Sequence, residues 1–297
     1  MNPTILITGA NGFTGFHACK HFKKAGYHVV GLTRGSTSID SSIPFRTCNL
    51  TDRQQVTNVI ESIKPDLILH LAGKNSVQDS WLDPIGAVEA NVLSTMYIVE
   101  AVRQAAVPSK VLVVGSALQF NLEDIASVEH PYSLSKSIQV LIAQAWEKFF
   151  ELEILIAKPS NLIGPGYSNG VCSVLAKQVT IMEKNQADPI IKVNNLLAKR
   201  DFLDVRDAVF AYEKILEHGK AGEVFDVVSG SPRSLMEITD LLKKLSKVKV
   251  SVQSVKDKEE EMEEKKPLEL LRLGWRQEIP LEESIKDILQ FHRENLL

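Results

Sequence analysis

Cysteine is scarce in this 297-residue chain: Cys19, Cys48 and Cys172 are the only three, far apart and odd in number. No pair has metal-ligand spacing, so neither a disulfide scaffold nor a metal site is expected. Long apolar runs are missing too; nothing approaches the roughly 18 consecutive apolar residues of a membrane span. Met1-Asn2-Pro3-Thr4 has no basic stretch leading into a signal-type apolar segment. Charge of one sign is not in excess, because 34 Lys and Arg stand against 37 Asp and Glu, a formal net charge of −3. A general attraction to nucleic acid is therefore not expected. What these absences leave is a cytoplasmic globular protein with no membrane and no nucleic-acid partner. Its 44% hydrophobic and 24% charged residues exclude disordered and collagen-like classes.

What is present is an alternation. Short apolar runs at Ile5-Leu6-Ile7, His28-Val29-Val30-Gly31-Leu32, Leu67-Ile68-Leu69-His70-Leu71, Val111-Leu112-Val113-Val114 and Ile154-Leu155-Ile156 are bounded by Gly or Pro and separated by helix-period segments. Runs of this kind read as buried strands. Strands alternating with helices predict an α/β fold, a Rossmann-type doubly wound parallel sheet covered on both faces. Ile138, Leu141, Ile142, Ala145, Trp146 and Phe149 form one helical face, and Val88, Val92, Met96 and Val99 another. After Pro159 the regular alternation stops. A helix near 171–184, a strand at 189–193, a helix near 205–218, a strand at 223–228 and a helical face from Leu235 to Leu245 follow. The expected organisation is a nucleotide-binding domain over 1–165, which also receives segments from about 203–230. A smaller, discontinuous mixed α/β substrate-binding domain spans 166–297.

The first strand runs into Gly9-Ala10-Asn11-Gly12-Phe13-Thr14-Gly15. A glycine turn between a strand and a helix lets backbone N–H groups approach a pyrophosphate, and the helix N-terminus favours its charge. Gly9, Asn11, Gly12, Phe13, Thr14 and Gly15 are therefore candidate dinucleotide contacts. The second strand ends in Leu32-Thr33-Arg34-Gly35-Ser36-Thr37, with no acid to bond a ribose 2′-hydroxyl. Arg34, helped by Ser36 and Thr37, suits a 2′-phosphate, which predicts NADPH/NADP and makes NAD the less favoured cofactor.

Tyr132 and Lys136 stand four apart, one turn apart on the same side of a helix. A nearby ammonium and an oxidised nicotinamide would favour the phenolate and lower a phenol pKa normally near 10. Tyr132 could then exchange a proton with a substrate oxygen as hydride moves. Ser116 follows the strand at 111–114, at the end where such sheets build their sites, and could hold the same oxygen. The histidines His17, His21 and His70 need no role beyond structure.

The glycine motif, His70-Leu71-Ala72-Gly73, Ser116 and Tyr132/Lys136, in that order, resemble the extended short-chain dehydrogenase/reductase family. The resemblance covers nearly the whole chain and adds Asn49, Leu50, Leu71, Ala72 and Gly73 as implied cofactor contacts, Asn49 standing where the family usually has Asp. Lys199-Arg200-Asp201-Phe202-Leu203-Asp204 looks like the segment of nucleotide-sugar enzymes whose arginine grips the sugar-nucleotide diphosphate. Ser76-Val77-Gln78-Asp79-Ser80-Trp81, Asn161-Leu162-Ile163-Gly164-Pro165-Gly166 and Gly274-Trp275 also fit. Together they are most similar to GDP-4-keto-6-deoxymannose reductases. The resemblance implies a nucleotide-sugar substrate, GDP- or UDP-linked, held by Ser76, Ser116, Asn161, Lys177 and Arg200. It also implies a homodimer paired through helices at about 86–105 and 132–150.

The chain departs from that pattern in places. Ser116 is followed by Ala117-Leu118-Gln119, with no acid before Glu123, where related 4,6-dehydratases carry a glutamate. The loop 117–130 is short and reads Phe120-Asn121 instead of Tyr-Gly. The second diphosphate arginine expected before Gly274-Trp275 is absent from 256–266. The implied activity is 4-keto reduction; a nucleotide-sugar 4-epimerase keeping NAD bound, and a non-catalytic NADP sensor or scaffold, are the alternatives.

Overall fold

A computed structural model describes residues 2–35, 42–118, 120, 123–259, 262 and 264–296. Its strands in chain order are β1 (Thr4–Thr8), β2 (His28–Thr33), β3 (Phe45–Thr47), β4 (Leu67–His70), β5 (Lys110–Val114), β6 (Ile154–Pro159), β7 (Asn161–Ile163), β8 (Ile190–Asn195), β9 (Lys199–Arg200), β10 (Phe202–Asp204), β11 (Val224–Val227), β12 (Arg233–Ser234) and β13 (Ser251–Lys256). Seven of them form one sheet in the order β11-β6-β5-β4-β1-β2-β3. All its pairings are parallel, for example Ile5 opposite Val29 on one side and Leu67 on the other. From β1 the chain winds outward through β2 and β3, then returns to β4 on the other side of β1. Ligand crevices of open α/β sheets lie at such a switch point, beyond the strand C-termini.

The apolar runs are short and continuous because both sheet faces are covered. Leu6, Val30, Ile68, Val111 and Ile154 pack with Val56, Ile60, Ile98, Val102 and Val140 of the helices. Ile5, Ile7, Leu69, Leu112 and Leu155, on the opposite face by the two-residue period of a strand, are equally buried.

The chain divides into two units. The first comprises Met1–Pro159, Val209–Val227 and Glu269–Trp275; the second comprises Ser160–Ala208, Val228–Leu268 and Arg276–Leu297. Residues 160–165, assigned above to the first domain, belong to the second unit because β7 pairs in parallel with β10 instead of joining the large sheet. The second unit also pairs β8 with β13 and β9 with β12, and holds its own core of Leu175, Val179, Ile191, Ile238, Leu242 and Ile288.

The helical segment Pro84–Ala105, 22 residues with a mean hydropathy of 1.3, is long and apolar enough to cross a membrane by length and composition, although no unbroken apolar run marks it. Ile98, Val99, Ala101 and Val102 in it are core residues, so packing in the first unit accounts for much of that apolarity.

Candidate active site

The glycine turn sits at the C-terminal end of β1. Gly9 has φ +65°, a left-handed conformation open to glycine, and a Cβ there would stand 3.0 Å from Ala72 Cα. A Cβ at Gly15 would run into Gly9 O and Ala10 Cα. Backbone thus approaches backbone, and the helix Phe13–Lys24 begins at Gly12 with no side-chain cap and no acid in its first turn. Donors left uncapped by side chains, at the positive end of a helix dipole, fit a pyrophosphate. Arg34 is exposed just beyond β2. Ser36 and Thr37 lie outside the described residues. Leu71 and Ala72 both donate backbone N–H bonds to Thr8 Oγ1, at 3.1 and 3.0 Å, which fixes the segment after β4 against the end of β1. Asn49 is exposed, and its Oδ1 accepts from Thr51 N and Oγ1. Leu50 is buried beside that turn, in the core under the sheet.

Ser116 follows β5, and Tyr132 and Lys136 lie in the first turns of the helix Pro131–Phe150. Pro131 is at the start of this helix, where its missing N–H costs nothing. Tyr132 is 7% exposed, and its phenol lies beside the Ser116 hydroxyl, which favours the ionised form. Leu118 N–H donates to Ser116 Oγ at 3.0 Å, leaving the serine proton to point at Tyr132 or a substrate oxygen. Burial raises the Tyr132 pKa above its ordinary value, outweighing the opposing effect of Ser116. The phenol of the protein without cofactor therefore carries its proton at neutral pH; the lowering expected from the sequence concerns the state with an oxidised nicotinamide bound. Lys136 is also buried: its Nζ donates to Val114 O at 2.8 Å, and burial pushes its own pKa down to about 7.

A polar network that the sequence did not reveal braces this arrangement. Thr8 Oγ1 accepts two N–H bonds, so its own proton goes to His70 Nδ1 at 2.8 Å; His70 Nε2–H then donates to Thr95 Oγ1 at 2.9 Å. His70 is fully buried and its pKa is pushed down to about 3 by burial and the Lys136 charge, so it stays neutral. Both of its ring nitrogens are taken up by hydrogen bonds that tie β4 to β1 and to Thr95. Asn91 lies in a π-helical turn, Glu89–Leu93, a feature frequent at functional sites. It receives Lys74 N–H and donates to Lys74 O and to Ser135 Oγ, and Ser135 in turn donates to Tyr132 O. Ser80 Oγ accepts Tyr132 N–H at 3.1 Å, and His130 Nδ1 caps the helix through Ser133 N–H. No local periodicity marks these partners, because they lie up to 52 residues from Tyr132.

The other proposed substrate residues have local partners. Ser76 caps the helix Val77–Leu82 by accepting Asp79 N–H. In the second unit, Asn161 Nδ2 donates to Asp201 O, and Arg200 is exposed on β9. Lys177 is exposed on the helix Val171–Glu183, where its charge helps lower the His292 pKa. Asp201 was overlooked as an organiser: its carboxylate accepts from Ser160 Oγ, Ser229 N and Oγ, and Gly230 N. Asn121 of the short loop lies outside the described residues; Phe120 N–H donates to Ser137 Oγ at 3.3 Å.

The sequence is 27% identical over 305 residues to the GDP-6-deoxy-D-mannose reductase of Pseudomonas aeruginosa, covering 97% of each chain. The Pseudomonas aeruginosa protein RMD in complex with NADPH has the same fold, with a TM-score of 0.85 at 24% identity over 99% of this chain and 100% of that one. So does the Thermus thermophilus UDP-glucose 4-epimerase in complex with NAD, with a TM-score of 0.84 at 21% identity over the same shares. Residues 5–228, which hold the glycine turn, Ser116, Tyr132 and Lys136, match the NAD dependent epimerase/dehydratase family, and the chain belongs to that family.

Proposed function

We propose that the protein reduces the C4 keto group of a nucleotide-linked 4-keto-6-deoxy sugar, GDP- or UDP-linked, using NADPH. The observation that carries this reading is the Tyr132 phenol, kept protonated by burial beside Ser116, an acid placed to give its proton to a ketone oxygen. NADPH, when bound, supplies the hydride. Tyr132 passes its proton to O4, and the Ser116 hydroxyl bonds the same oxygen and orients it. Lys136 would hold the nicotinamide ribose, and its ammonium would stabilise the phenolate left when Tyr132 gives up its proton. Ala117-Leu118 after Ser116 offer no acid for a dehydration. The similarity to a GDP-6-deoxy-D-mannose reductase over almost all of both chains supports the substrate class. The test is NADPH absorbance during incubation with a panel of GDP- and UDP-linked 4-keto-6-deoxy sugars. Tight NADPH binding without consumption of any of them would favour a sensor instead.

A 4-epimerase is the second reading, favoured by the shared fold with an epimerase that binds NAD. Arg34 and the missing acid after β2 argue for NADPH instead. Wild type should bind NADPH about tenfold or more tightly than NADH, the scale of a charge-assisted phosphate contact. Arg34→Asp should abolish or reverse that preference in a direct titration of both cofactors. A wild-type preference for NADH would remove the assignment of Arg34.

The protein is further proposed to form a two-fold homodimer. Leu141, Phe149 and Phe150 are exposed apolar side chains on the second of the two helical segments expected to pair. Light scattering at micromolar concentration should give twice the 33.0 kDa chain mass; a monomer mass would overturn the pairing.

A further inference from the structure

We propose that His130 is a further substrate contact, its Nε2–H donating to the hydroxyl on C3 of the sugar; the proposal rests on the 4-keto reductase reading above. His130 is the N-cap of the helix Pro131–Phe150, and the backbone N–H of Ser133 donates to its Nδ1 at 2.9 Å. An amide N–H can only donate, so Nδ1 offers a lone pair and the proton of the neutral ring sits on Nε2. That nitrogen, on the far edge of a partly exposed ring, has no hydrogen-bond partner among the described residues. Serine, aspartate and asparagine are the preferred caps, and each makes the same bond with a smaller side chain. The cap therefore leaves half of the imidazole unused. The ring lies against that of Tyr132, with 5.9 Å between centroids and 37° between planes. Covering the phenol ring would not by itself call for a polar outer edge.

The donor is fixed before anything binds. Ser133 Oγ donates to His130 O at 2.8 Å, and Leu134 N–H donates to the same carbonyl at 3.3 Å. Pro131 restricts the backbone on the other side. With its carbonyl and Nδ1 both engaged, His130 loses little freedom when Nε2 finds an acceptor, so ordering costs offset little of the contact. Tyr132 and Ser116 both address O4. In a 4-keto-6-deoxy sugar C4 has two ring neighbours: C5 carries a methyl group and C3 carries a hydroxyl. A donor beside the group that meets O4 therefore finds its neighbouring acceptor in O3. The neutral imidazole gives a hydrogen bond there without giving up its proton, so Tyr132 remains the acid.

The test is NADPH consumption by the full-length protein with the nucleotide-linked 4-keto-6-deoxy sugar that wild type reduces, and with its 3-deoxy analogue. His130→Asn keeps an acceptor suited to the N-cap and removes the outer donor, so its melting temperature and NADPH affinity should match wild type. Its kcat/KM on the 3-hydroxy sugar should fall about three- to tenfold, the scale of one hydrogen bond between neutral groups. On the 3-deoxy analogue it should equal wild type. His130→Gln carries an amide N–H out towards the Nε2 position but leaves Ser133 N–H without its cap. That variant should melt a few degrees lower while keeping part of the preference for the 3-hydroxyl. An Asn variant that loses equally on both sugars would mean that the ring acts only through Tyr132. One that keeps wild-type kcat/KM on both would mean that His130 only caps the helix. Either result overturns the contact and leaves the reductase reading standing. If wild type reduces no such sugar, that reading fails and the inference falls with it.

Discussion

Replacing Tyr132 with phenylalanine should lower turnover about 10²-fold or more, the range for losing a positioned acid. The change keeps the ring in its buried site and removes only the hydroxyl that Ser116 contacts. NADPH affinity should therefore stay close to wild type, and the melting temperature should move only slightly, since one hydrogen bond contributes about 1 kcal/mol. Ser116 is left without its phenol partner but keeps the bond from Leu118 N–H, so the end of β5 should not rearrange. The assay is NADPH consumption with the reactive nucleotide sugar, alongside a cofactor titration. Wild-type turnover in the variant would mean that another group delivers the proton.

Lys136→Met is expected to separate stability from activity. In the protein without cofactor, burial lowers the Lys136 pKa from 10.5 to about 7. Between those values the unfolded chain binds a proton that the folded chain has lost, so stability rises with pH across the window. Below about pH 7 the full cost of burying the group is felt, on the order of 3–5 kcal/mol. Methionine fills similar volume without that cost, but leaves Val114 O without its donor, an offset of about 1–3 kcal/mol. The variant without cofactor should thus melt higher than wild type at pH 7, and the difference should shrink as pH rises towards 10. Turnover and NADPH affinity should both fall by at least an order of magnitude if Lys136 holds the ribose as proposed, because that contact would be lost and the Tyr132 phenolate would lose a stabilising charge. A variant that melts lower than wild type at neutral pH and not at pH 10 would reverse the sign of this account. One that binds NADPH normally would remove Lys136 from the cofactor site.

Much of the first unit is legible in local sequence. β1, β2, β4, β5 and β6 announce themselves as short β-branched runs, and the helix Pro131–Phe150 shows its face through Ile138, Ile142 and Ala145. Other elements are nearly silent. β3 is three residues long, and the helix Arg53–Ile63 buries only Val56 and Ile60, too few for a clear apolar stripe. The helix Leu281–Asn295 is rich in charge, and its buried Ile285, Ile288 and Leu289 are hidden among Glu, Lys and Asp. Residues 160–165 read as a continuation of the first domain because Pro159 ends an ordinary strand; their partner strand, β10, lies some forty residues further on.

The same division runs through the site. By itself the sequence determined the strand–turn–helix that presents the glycine turn, the absence of an acid after β2, and the four-residue spacing that puts Tyr132 and Lys136 on one helical side. Each of these depends on neighbours within a few residues, where backbone geometry and period are encoded directly. Only the tertiary structure decided which protons those groups carry, how the Asn91 and Ser80 bonds hold the Tyr132 turn, and that β7, with Asn161, pairs with β10. Desolvation and cross-strand pairing depend on what distant segments bring alongside, and no local pattern records which segments those are.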